Sequence, residues 1–427
     1  MRDLDAPARF RWLPPFLRPP AGMALRQEQI FLLVGAAALF AGYDANVFGL
    51  AVPQIQASLH IPDNQIGPTI STFRLATVAA LLIAASADLI GRRRLLLYTI
   101  LGQAIFTLLT AATGTYVQFV GAQILTRVFG YAEEMLCFVV VAEEMADASR
   151  GWANGGLATF YYMGAVFAAI VFAAIEVLPF GWRAIYVVGA VPLFFVAWLR
   201  RRMPETRRFA ELSLAEGMRA KLAMAGALLR DLAREYPGRF LVVVTGAAAY
   251  GFAMSPAASL GPMFVQTAYH YRPAEATALF LPVTLISLAL AILTGKLSDR
   301  IGRKPVTLAM VALSGGAFFL FYGGVAPIWM PLLWLLAFYG FFCGDALIAG
   351  FALEIMPTRY RATVSGLRYL IEVAAGAVSL ALEGHFFDRF GGHGPAIRFL
   401  LASIPISLLA ILFLPEPAGK NLEEISS

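Results

Sequence analysis

What most limits the fold of this chain is a series of twelve apolar stretches. They lie at residues 29–52, 67–87, 95–114, 117–142, 155–178, 183–199, 240–266, 275–295, 305–324, 328–352, 363–383 and 396–414. A helix needs about 20 apolar residues to cross roughly 30 Å of hydrocarbon. Lipid offers no partner to a backbone N–H or C=O, so a spanning segment is a helix or part of a closed barrel. Barrel strands alternate apolar and polar residues over about ten positions, and these stretches do not. The expected fold is therefore an all-α membrane protein with twelve transmembrane helices. Only 14% of the 427 residues are charged, against about 25% in soluble chains.

The net charge of +6 does not point to nucleic acid, because the basic residues are sorted. Of 33 Lys and Arg, 26 fall in the N-terminal tail, the even-numbered loops and the C-terminal tail. The positive-inside rule then places both termini in the cytoplasm. Residues 1–26 carry five arginines and no apolar core before a cleavage site, so they read as a cytoplasmic tail. Cys137 and Cys343 lie within expected helices and form neither a disulfide framework nor a metal spacing. No Asn-x-Ser/Thr acceptor is present, as in a bacterial inner-membrane protein.

The chain also repeats itself. Leu293 to Leu308 reads LTGKLSDRIGRKPVTL, and Ala84 to Leu95 reads AASADLIGRRRL. Asp299 follows Asp88 by 211 positions, and the same offset links Glu143 to Glu354 and Arg150 to Arg361. A fixed offset of half the chain means two copies of one unit. The expected organisation is a tail at 1–26, a six-helix bundle at 27–202, a linker at 203–238, a second bundle at 239–414 and a tail at 415–427. Within the linker, Leu222, Ala225, Leu228, Leu229 and Leu232 recur at helical spacing, with Arg219, Lys221, Arg230 and Arg234 on other faces. This predicts an amphipathic helix on the inner membrane surface.

The repeated turn resembles the GxLxDRxGRK signature of the major facilitator superfamily. The second copy carries it at Gly295, Leu297, Asp299, Arg300, Gly302, Arg303 and Lys304; the first keeps Asp88, Gly91, Arg92 and Arg93. Gly42-Tyr43-Asp44, Glu143 to Gly151, Pro204 to Phe209, Glu354 to Arg361 and Pro415-Glu416 are similar to stretches of the sugar-porter-like branch, which includes metabolite:proton and aromatic-acid symporters. No glutamine stands at residues 155–167 of helix 5 or 246–261 of helix 7, where sugar porters carry it, and Ala41 stands where aromatic-acid symporters have a first acid. The resemblance implies two pseudo-symmetric six-helix bundles, alternating access, a small-molecule substrate, no nucleic-acid partner and a monomer. It also implies that Asp88, Arg92, Glu143, Arg150, Asp299, Arg303, Glu354 and Arg361 form salt bridges that close the cytoplasmic side.

Charges inside the spans need partners or water, because one at the bilayer centre costs about 2.5–3.5 kcal/mol on insertion scales. They are Asp44, Arg74, Arg127, Glu133, Glu134, Asp345, Arg368 and Glu372. Asp44 and Arg74 fall at similar depths, so the reading is that they pair, share a substrate carboxylate or lock helices 1 and 2. A carboxyl group buried without a cation holds its proton to higher pH, which proton coupling requires; Asp44 and Glu133 are the candidates. Glu134 and Asp345 each precede their motif glutamate by nine, which suggests packing or gating. Arg368 and Glu372 share a helix face and either satisfy each other or meet substrate. Arg74, Arg127, Arg368, Glu372, Tyr161 and Tyr250 are the candidate substrate residues.

No GxxxxGK[ST] loop is present, so ATP is not the driver. No HExxH or GxSxG motif accompanies the four histidines, so the chain does not read as an enzyme. No cofactor is expected beyond the proton as coupling ion. The reading is a proton-coupled symporter of a small organic anion, such as a carboxylic or aromatic acid. A sugar or polyol symporter, an efflux antiporter and a non-transporting nutrient sensor stand as alternatives.

Overall fold

A computed structural model describes Phe10, residues 18–19 and 23–201, Met203 and residues 218–416. Every regular element among them is a helix. In chain order these are α1 (Leu25–Leu59), α2 (Ile66–Ala85), α3 (Ala87–Ile90), α4 (Arg92–Ala111), α5 (Tyr116–Glu144), α6 (Asp147–Ala173) and α7 (Trp182–Arg200). After the linker come α8 (Met218–Glu235), α9 (Pro237–Ala268), α10 (Pro273–Ile301), α11 (Arg303–Phe321), α12 (Met330–Glu354), α13 (Arg361–Phe390), α14 (His393–Leu401) and α15 (Ile404–Leu412). The twelfth span is thus two short helices, α14 and α15, broken at Ala402 and Ser403 just before Pro405.

Among the described residues, eleven helical stretches are long and apolar enough to cross a membrane. The missing one is α5. It is 29 residues long, but Arg127, Glu133 and Glu134 interrupt its apolar run. Many large apolar side chains point outward, among them Leu75, Val78, Leu82, Phe195, Leu293 and Leu409. In water that surface would be a liability; in lipid it is the solvated face.

The chain divides into two compact units, Met1–His60 with Ala76–Met218, and Ile61–Leu75 with Arg219–Ser427. Residues 61–75, which include the first turns of α2, group with the second unit. Ser71 Oγ donates to the Ala377 carbonyl at 2.7 Å, and Asn64 Nδ2 donates to Asp388.

In the first unit, α1 packs on α6 through small residues. A Cβ on Gly42 would lie 2.0 Å from the Tyr161 carbonyl oxygen, and one on Gly164 1.8 Å from that of Leu39. Small residues let backbones approach closely where lipid supplies no hydrophobic drive. The core beneath, with Phe31, Val34, Leu96, Leu136, Val140 and Leu193, joins α1, α4, α5 and α7.

In the second unit, α9 and α13 approach in the same way at Gly251 and Gly376. The amphipathic helix α8 turns out to spend part of its apolar face on protein. Leu232 is fully buried with Phe351, Ile355, Met356 and Tyr360, and Leu228 packs beside it. Tyr360 donates to Glu235 at 3.0 Å, and Arg359 pairs with the same carboxylate. The side chains of Leu222 and Ala225 lie outside the described residues.

Candidate functional site: two buried polar clusters and a repeated turn

The first cluster lies among α1, α4 and α5. On α5, Arg127, Tyr131 and Glu134 fall at i, i+4 and i+7, and so on one face. That face meets Asp44 of α1 and Gln103 of α4 around a small cavity. Asp44 is 5% exposed. Thr107 Oγ1 donates to its carboxylate at 3.4 Å, the Gln103 side chain bonds it, and Arg127 is its electrostatic partner. Arg127 Nη1 also donates to the Tyr131 hydroxyl at 3.3 Å. Gly130 leaves the room that Gln103 fills, since a Cβ there would lie 3.2 Å from the amide nitrogen. Glu134 lines the same cavity and has no ion-pair partner among the described residues.

The cation beside Asp44 is therefore Arg127, where depth along the helices suggested Arg74. Glu133, expected to be a protonatable cavity residue, is on another face of α5. It is wholly buried and ion-paired to Arg200 at the end of α7. Thr99 also donates to its carboxylate, and Arg200 Nη2 donates to the Leu33 carbonyl at 3.1 Å. These bonds tie α1, α4, α5 and α7 together. Arg200 is missed in the sequence because it reads as the first of three loop arginines.

The second cluster lies in the second unit, where α12 and α13 bring Asp345, Arg368 and Glu372 together. Arg368 Nη1 donates to Asp345 Oδ1 at 3.1 Å and to Glu372 Oε2 at 2.5 Å. Arg74, on the part of α2 that belongs to this unit, donates to Ser259 Oγ at 3.4 Å and is a further electrostatic neighbour of Glu372. The symmetry-related Glu134 and Asp345 thus stand on equivalent helices, one without a cation and one bonded to Arg368. Tyr250, expected to line a cavity, is fully buried and donates to the Phe341 carbonyl at 2.9 Å; its hydroxyl joins α9 to α12. Tyr161 is half-buried on α6 against Tyr162.

The repeated turn builds the same contact twice. Arg92 reaches Glu143 through Nη2 at 2.8 Å and through Nε at 3.2 Å; Arg303 reaches Glu354 through Nη2 and Nε, both at 3.1 Å. Each bond lies within one unit, joining α4 to α5 and α11 to α12. Arg303 also pairs with Asp299 at 2.8 Å. Gly91 and Gly302 precede α4 and α11 with φ of 95° and 121°, a region that side-chain-bearing residues rarely enter. Glu416 caps α11, accepting from the amides of Arg303 and Lys304 at 2.8 and 2.9 Å. Arg93 donates to the Arg201 carbonyl and Arg361 to that of Met356. Arg150 is half-buried, Arg300 is exposed, and Gly295 faces open space. The Asp88 side chain lies outside the described residues.

A family model described as Major Facilitator Superfamily matches residues 34–380 and 242–426. A chain of Haemophilus influenzae named for metabolite transport is 28% identical over 92% of this chain and 97% of its own. A citrate-proton symporter of Klebsiella pneumoniae is 26% identical over 90% of this chain and 84% of its own. Among solved structures, a D-xylose-proton symporter superposes with a TM-score of 0.73 at 18% identity, covering 92% of this chain and 99% of that one; this likeness shows the fold. Duplicated six-helix units, the twice-built signature turn and the family match agree: this chain is a multi-pass membrane transporter, not an enzyme, and belongs to the major facilitator superfamily.

Proposed function

We propose that this protein is a proton-coupled symporter of a small organic anion, a carboxylic or aromatic acid, working by alternating access. It sits in a bacterial inner membrane with both termini cytoplasmic, as the sorting of its basic residues supports. The single observation that carries the reading is the cavity holding Asp44, Arg127 and Glu134. With both carboxyl groups ionised, that cavity holds two negative charges against one positive. A proton on Asp44 removes the anion that Arg127 faces and frees its guanidinium for a substrate carboxylate, a geometry arginine suits well. Proton and anion then enter together, because each makes the site favourable for the other. In the second unit Arg368 is met by two carboxylates, and Arg74, bonded to a serine hydroxyl, adds a second cation beside Glu372. The likeness to a citrate-proton symporter supports the same substrate class.

The test is uptake into proteoliposomes under an imposed pH gradient, across a panel of carboxylates and sugars. Gradient-driven carboxylate uptake that Arg127→Ala abolishes supports the reading. Saturable sugar uptake indifferent to Arg127→Ala and Arg74→Ala overturns it.

A further inference from the structure

Away from both clusters, the second unit buries another ionisable pair. Glu383 on α13 is wholly buried and His393, the first residue of α14, is nearly so. His393 Nδ1 lies 2.7 Å from Glu383 Oε1. The remaining polar atom of each, Glu383 Oε2 and His393 Nε2, is buried with no hydrogen-bond partner. Phe387 lies tilted against the imidazole at 4.5 Å between ring centres.

The first turns of α2 cover this pair. A Cβ on Gly67 would lie 2.5 Å from Glu383 Oε2 and 2.5 Å from the Leu380 carbonyl oxygen, and one on Gly384 2.1 Å from the Asn64 carbonyl oxygen. The free carboxylate oxygen is thus pressed against the Gly67 backbone. At the rim of the contact, Asn64 Nδ2 donates to both carboxylate oxygens of Asp388.

The charged and titratable groups around the pair are few. On α13, Asp388 is taken by Asn64, His385 packs against Phe386 and Arg389 is exposed. On α14, Arg398 lies over the Phe319 ring at 4.2 Å. Just past α11, the Tyr322 phenol is an electrostatic neighbour of Glu383 and donates to the Ala257 carbonyl. α2 brings no ionisable side chain to the contact; Asp63, just before it, is exposed. Among the described residues, His393 is the ion-pair partner of Glu383.

We propose that Glu383 and His393 form a one-proton latch that fastens the first turns of α2 to α13 at the end of the molecule opposite the signature turn. Holding one proton between them, the pair is neutral overall and can lie under Gly67. Losing that proton leaves a lone carboxylate with nothing to compensate it, and burying an unpaired charge is strongly unfavourable. The contact then opens and water reaches Glu383. On the orientation proposed above, this is the outer face, so an acidic exterior favours closure there. The latch needs no substrate and is separate from the Asp44 cavity.

The test uses the full chain with nitroxide labels on Gln65→Cys and Arg389→Cys, both exposed positions. Labelling is done once, and distances are then read by pulsed electron resonance at about pH 6 and about pH 9, the direction in which histidine gives up charge. The short-distance population is expected to fall by roughly twofold or more on going alkaline, and to stay constant in Glu383→Gln/His393→Gln. Should that double variant not fold, Glu383→Gln alone suffices: its pair is charged only in acid, so the pH slope inverts. A pH-independent distance in the otherwise native chain, or the native slope persisting in Glu383→Gln, overturns the latch. Because the readout involves no transport, its failure leaves the symport reading untouched, and the reverse also holds.

Discussion

Arg200, the last residue of α7, reaches Glu133 in the middle of α5, and neither side chain touches water. An ion pair in such a place adds little net stability, but breaking it strands a buried charge at a cost of about 3–5 kcal/mol. Arg200→Met or Glu133→Gln should each lower the melting temperature in detergent strongly. The double change Glu133→Met/Arg200→Met should recover most of the loss. Equal melting of single and double variants would argue that the pair is not coupled.

Asp44→Asn should separate the proton from the substrate. The amide cannot ionise, so Arg127 keeps no opposing carboxylate at that position. Substrate exchange without a gradient should persist, while accumulation driven by a pH gradient should fall by about tenfold or more, an effect of about 1.4 kcal/mol. Parallel counterflow and gradient-driven uptake assays would read the two separately.

Gly302→Ala should destabilise the second signature turn. Its φ of 121° lies where L side chains are strained, and a Cβ would also come within 3.1 Å of Glu416 Oε2. The expected loss is about 1–3 kcal/mol, read by thermal unfolding. Gly295→Ala, which meets open space within the helix α10, should cost nothing and can gain a few tenths of a kcal/mol from helix propensity, roughly.

Glu416→Gln should weaken the cap on α11. The carboxylate accepts from two amides at the helix start, where a negative charge is worth roughly 0.3–1 kcal/mol in addition to its hydrogen bonds. A loss of about 1 kcal/mol is expected, together with faster amide exchange at Arg303 and Lys304. Unchanged exchange at both amides would rule the cap out.

The helices and the duplicated plan were legible because lipid permits few backbone solutions and because length and hydropathy report them directly. Salt bridges among Arg92, Glu143, Arg303 and Glu354 were implied by the family resemblance, while the pairing of Arg92 with Glu143 and of Arg303 with Glu354 came from the fold. Side-chain partnership was harder to read. Depth placed Arg74 near Asp44, but depth says nothing about which neighbour a helix face meets, and α5 rather than α2 supplies the cation. Glu133 and Glu134 are adjacent in sequence, yet a turn of about 100° sends one to Arg200 and the other to the cavity. Glu383 escaped notice at the end of an apolar run, and His393 looked like a loop residue.

The polarity of α5 bears on how the chain enters the membrane in the first place. Three ionisable residues make it a poor candidate for insertion by itself, since each costs about 2.5–3.5 kcal/mol at the centre of a span. The partner of Glu133 is Arg200, 67 residues further on, so it leaves the ribosome only after two more spans have been made. Until then the nascent α5 must be held at the translocon or shielded by α1 and α4. A chain ended before α7 should be recognised by membrane quality control, and α7 supplied as a separate fragment should rescue it.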